Sequence, residues 1–228
     1  MSKLNWKKYT FEFFSMFIAI ILAFGLNNWN DNRRDHEAAV KILTEISNGL
    51  KKDLEDIEVN VGGHEKGIKA CVYWRKILAN QAVSFDSLNM HYLGLTRDFF
   101  SAQNVSGYET LKSRGLELLK NDSLRFHIIS LYEYDYNALK FLEENYYEMQ
   151  FQANYYQRIN DFIAPNLEFD SKGNLATITT PLKLNRKDKN LFLSYLWKIQ
   201  VNRNFILYYY RSIEEKIHKL LAEIAAQS

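Results

Sequence analysis

From Phe13 to Leu26 the chain is an unbroken run of apolar and small residues, and this run decides what the rest can be. A helix needs roughly 20 apolar residues to cross the hydrocarbon layer of a bilayer, so the run alone is short. Its flanks extend it. Tyr9, Thr10 and Phe11 suit the outer hydrocarbon layer, and Trp6 to Trp29 at helical rise covers roughly 34 Å, an interface-to-interface distance. Trp6, Lys7 and Lys8 before the run, and Trp29 with Arg33 and Arg34 after it, have the composition of interfacial anchors. The expectation is a membrane span over about residues 9–28, an anchor of residues 1–29, and a soluble domain of residues 30–228. A cleaved signal peptide is the competitor, with Ala23-Phe24-Gly25 as a small-x-small site. A buried soluble helix fits less well, because the run is apolar all round.

One face of the span is patterned. Ser15, Ala19 and Ala23 recur every fourth residue, Asn27 continues the line, and Glu12 precedes it by about one turn. Small residues at this spacing let two backbones approach closely in lipid, so Ser15, Ala19, Ala23 and Glu12 are the candidate self-association face. Glu12 also lies within reach of Lys8, four residues back, for pairing or snorkelling. Lys3, Lys7 and Lys8 on one side nearly balance Arg33, Arg34 and Lys41 on the other. The short basic head before a long domain is a signal-anchor layout, with the N-terminus cytoplasmic and the domain translocated.

The composition excludes several classes. With 228 residues, 47% of them hydrophobic and 25% charged, the part beyond the span is long enough for one cored domain. A net charge of +2 gives no field for nucleic acid, which is not expected as a partner. The single cysteine, Cys71, excludes an intramolecular disulfide and a cysteine-cluster metal site. Two prolines and nine glycines argue for long helices.

The predicted fold is therefore all-α: one transmembrane helix, then an antiparallel bundle of long helices. Val40, Leu43, Ile46, Leu50, Leu54 and Ile57 mark one face of a helix over about 30–60, and nothing in the spacing stops the span from continuing into it as one helix. Gly62-Gly63 is read as a break, followed by a helix over about 64–82. Ser106 with Glu109 forms a capping-box pattern, Gly115 a C-cap, and Asn121 a further N-cap. A helix over about 122–164 keeps a 3.5-residue repeat, and one over 188–226 repeats it through Phe192, Leu196, Ile199, Ile206, Tyr210, Ile213, Ile217, Leu220 and Ile224. Antiparallel pairing then sets Tyr156 near Ile199, Met149 near Ile206, Leu142 near Ile213, and Arg203 near Ala153. The loop over about 166–187 contains the β-like Leu175–Thr179.

Two segments resemble an uncharacterised family of bacterial single-span membrane proteins, a domain of unknown function. In that family a Glu heads the span and Asn-Asn-Trp-Asn ends it, as Glu12 and Asn27-Asn28-Trp29-Asn30 do here. The second segment is Tyr108-Glu109-Thr110-Leu111-Lys112-Ser113, then Gly115, then Leu118-Leu119-Lys120-Asn121-Asp122. The resemblance implies anchoring in the bacterial inner membrane with a basic cytoplasmic head, which with the signal-anchor layout leaves the C-terminal domain periplasmic. It brings no known activity.

No catalytic motif carries the chain further. The five histidines stand apart with no metal-ligand spacing, Gly62-Gly63 lacks a following Lys-Ser/Thr, and neither a metal nor a cofactor is expected. Arg211 to His218 fits the loose Arg-x(4–6)-His signature of the all-helical HEPN ribonucleases, which implies His218 as general acid/base and Arg211 as phosphate stabiliser. Both residues fall one position off the packed seam, on a solvated face. Tyr134, Tyr155 and Tyr209 also lie off the seam and form either an aromatic binding surface or the contact with a second helical layer. The reading is a membrane-anchored scaffold, sensor or assembly subunit with the lipid bilayer, further copies of itself and another protein as partners. A tethered ribonuclease and a subunit of an oligomeric pore are the alternatives.

Overall fold

A computed structural model of the chain describes residues 6–227. The protein is all-α apart from one two-stranded ribbon. Helix α1 (Trp6–Leu78) is a single helix of 73 residues, about 110 Å long, and carries both the apolar run and the first wall of the domain.

The break expected at Gly62-Gly63, and with it the division into helices 30–60 and 64–82, does not occur. Only Gly63 serves close packing. A Cβ built on Gly63 would stand 2.3 Å from Phe99 Cε1, whereas one on Gly62 meets nothing within 4 Å. Helix α1 ends instead at Leu78, where Asn80 takes φ 56° and Gln81 N–H returns to the Lys76 carbonyl at 2.9 Å. That is a left-handed helix stop made by Asn.

Helices α2 (Leu88–Leu95) and α3 (Ser106–Arg114) pack on α1. Gly115, at φ 100°, ends α3 as expected. The capping box does not form: Ser106 Oγ donates to Asn104 Oδ1 at 2.9 Å, and Glu109 meets Lys112 at 3.5 Å. Asn121 does cap α4 (Asp122–Ile129), accepting from Leu124 N–H at 3.1 Å.

The helix expected to run unbroken over 122–164 is interrupted. A π turn (Ser130–Asp135) leads into α5 (Tyr136–Glu144), and the chain leaves the helix at Asn145. A second π turn (Gln152–Tyr156) then leads into α6 (Gln157–Ile163). Distant side chains make this break affordable. Asp98 Oδ1 caps the new start from outside, accepting from Phe151 N–H at 2.7 Å, while Gln150 and Asn202 donate to the freed carbonyls of Glu143 and Glu148. The break shifts the repeat, so Tyr146 and Ala153 are exposed and Tyr156 is only partly covered. Phe151, Tyr155 and Ile159 take the core positions.

The ribbon lies where the β-like loop was expected: β1 (Leu167–Phe169) pairs antiparallel with β2 (Leu175–Ile178), Leu167 opposite Ile178. Helix α7 (Arg186–Ala225) then runs 40 residues back along the molecule. Every apolar residue named for its seam is buried, and Arg203 with them. Its pairing with the 122–164 segment is antiparallel, but about one turn from the expected register. Asn202 meets Glu148, Tyr210 meets Glu143, and Lys216 meets Asp135.

Candidate functional site

The apolar run lies on α1 as a bare helix. Its most apolar stretch is long and apolar enough to cross a membrane by length and composition, and none of it is buried by the rest of the chain. Within it Ser15 Oγ donates to the Glu12 carbonyl at 2.9 Å, so the hydroxyl is satisfied inside the helix and the face stays smooth.

Because α1 is continuous, the direction of this face can be carried into the domain. Ten helical turns are about 36 residues, which places Lys51 in line with Ser15, Glu55 with Ala19, and Val59 with Ala23. All three are exposed, Val59 to 71%. The residues of α1 that enter the core, Ile46, Leu50, Asp53 and Ile57, lie on the other side of the helix. The small-residue face therefore points away from the domain.

Past the run, Arg33 stacks on the Trp29 ring at 5.7 Å and pairs with Glu37 at 3.4 Å, while Asn27 donates to Asp31 at 3.0 Å. The expected anchors Trp6, Lys7 and Lys8 lie outside the described side chains. Among the described residues the first buried one is Ala39, ten residues and about 15 Å beyond Trp29, so a short exposed stalk separates the run from the domain.

What fixes α1 to the domain is a buried arginine. Arg203 of α7 does not lie at Ala153 but crosses to α1, where the small neighbour is Gly67. Its Nη2 donates to the carbonyls of Leu95 and Arg97 at 3.0 and 2.9 Å, at the negative end of α2. Its Nη1 donates to His64 Nδ1 at 3.0 Å, and the guanidinium stacks on Phe151 at 4.2 Å. Burial, then the charge of Arg203, holds His64 down at about 3, so the imidazole is neutral. Burial lowers Arg203 itself to about 10.

A second fixing point is the segment after α2. Asp53 accepts from Asn104 N–H at 2.7 Å and from the Tyr136 hydroxyl at 2.6 Å; Glu143 accepts from Ser101 N–H at 2.9 Å. Burial raises both carboxyls, and these bonds oppose it. The result is a rigid joint between α1, α5 and α7 through one loop.

The alternative pair Arg211 and His218 is exposed, with Arg211 Nη2 at 3.9 Å from Glu65. Of the off-seam tyrosines, Tyr155 is buried, Tyr209 is half-buried and Tyr134 is open. An exposed stripe that the repeat concealed runs along the outer side of α7 through Trp197, Val201, Phe205 and Tyr208. Its spacing of four, four and three is legible in the sequence, on the face of α7 opposite the buried seam. No family model, curated protein or solved structure matches this chain.

Proposed function

We propose that this is a single-span membrane protein of the bacterial inner membrane that works as a self-associating scaffold. Residues 9–28 cross the bilayer, the N-terminus is cytoplasmic, and the helical domain stands in the periplasm on the α1 stalk. Copies associate through Ser15, Ala19 and Ala23. The observation that carries the reading is the alignment of that face with the exposed side of α1, through one unbroken helix locked to the domain. An apolar stripe on α7 supports contact with a further protein.

Substituting Ile at Ala19 and Ala23 should lower the yield of crosslinked oligomer in membranes, because bulk there separates the backbones. An unchanged yield at equal expression sinks the self-association reading.

A further inference from the structure

A cavity of about 220 Å³, floored by Leu131 and Leu220 and edged by charged side chains, lies between α4, the first π turn and the C-terminal half of α7, away from the outer face of α1. That volume is below the range of drug-sized pockets and suits a ligand about as large as an amino acid.

Three features mark the cavity. Ser130 and Asp135, both in its lining, begin and end the π turn, an irregularity that recurs at functional sites. Asp135 is 7% exposed, and its Oδ1 accepts from Lys216 Nζ at 2.6 Å, yet its Oδ2 has no hydrogen-bond partner. Such an oxygen in a folded protein calls for a donor. Lys219, three residues from Lys216 and on the same side of α7, lines the cavity with no ion pair among the described residues. His127 and Glu223, 2.8 Å apart, complete the polar lining.

The charges of Asp135, Glu223, Lys216 and Lys219 cancel. A net-charged ligand would leave one sign unmatched, whereas a zwitterion answers the open acceptor and the open cation together. We infer that the cavity binds a small zwitterion of the amino-acid class, its ammonium donating to Asp135 and its carboxylate meeting Lys219 beside the Ser130 hydroxyl. Oδ2 is closed off from solvent, so entry requires the Lys216 stem to move aside while its ammonium stays paired with Oδ1, which keeps the four charges in balance. The half-exposed, flexible stem permits this.

The test is calorimetric titration of the full chain in detergent micelles with glycine, L-alanine, L-serine and L-glutamate, with acetate and methylamine as single-charge controls. At least one amino acid should bind about tenfold more tightly than either control, and Asp135→Asn and Lys219→Gln should each weaken it about tenfold. Lys219 is exposed, so Lys219→Gln should keep the unaltered melting temperature and remain informative where Asp135→Asn disturbs folding. Absence of binding by all four amino acids to the unaltered chain overturns the inference. So does equal binding of acetate, or affinity unchanged in Lys219→Gln.

Discussion

Arg203 stands directly on Gly67: a Cβ added at Gly67 would lie 2.3 Å from Arg203 Nε. The absent side chain of one helix is thus the space in which the other helix places its buried charge. Gly67→Ala should destabilise the fold by about 3 kcal/mol, since the guanidinium must move off the Leu95 and Arg97 carbonyls. Gly62→Ala, one and a half turns away with nothing within 4 Å, should stabilise it by about 1 kcal/mol through helix propensity. Urea midpoints of the two variants, moving in opposite directions, check the pair.

Arg203→Lys keeps the charge but loses the planar fork that reaches two carbonyls and His64 together. It should cost about 2 kcal/mol, and its effect should be non-additive with that of Gly67→Ala. A double-mutant cycle measures the coupling; a coupling of zero means that the two residues do not share a site.

His64 makes stability depend on pH. Its folded value near 3 is below its ordinary 6.5, so the unfolded chain binds the extra proton first. The stabilisation is complete above pH 6.5 and is lost as pH falls toward 3, by at most about 1.4 kcal/mol per pH unit. Asp53, Asp98 and Glu143, raised by burial, act with the opposite sign: their contribution is lost as pH rises through their folded values. A His64→Gln variant should show a shallower fall of melting temperature on acidification. A slope equal to that of the unaltered chain assigns the acid sensitivity to other groups.

Asp98→Ala removes the remote cap of the 151–163 segment. It should cost about 2 kcal/mol and lower the exchange protection of the Gln152–Tyr156 amides more than that of α7.

The long repeat of α7 was legible because its partners follow a regular spacing over 40 residues. The break in the 122–164 helix at Asn145 was not, because the groups that make it tolerable, Asp98 and Asn202, are remote in sequence. Gly62-Gly63 reads as a turn to any local rule; only the approach of Phe99 shows Gly63 to be a packing surface. In the sequence Arg203 stands between the apolar positions Ile199 and Ile206, and Asp135 between Tyr132 and Leu139. Their partners required the fold. The small-residue face was plain in the sequence, but its direction relative to the domain depended on α1 being unbroken.

In the proposed function, copies meet along the outer face of α1. Single cysteines placed from Glu12 to Leu26 and oxidised in native membranes measure it directly. Cys71 is buried, with burial holding its thiol up at about 11, so it should not compete. Dimer yield should peak at positions 15, 19 and 23 and fall to a minimum between them. Uniformly low yield, or peaks on the opposite side of the helix, would contradict the account.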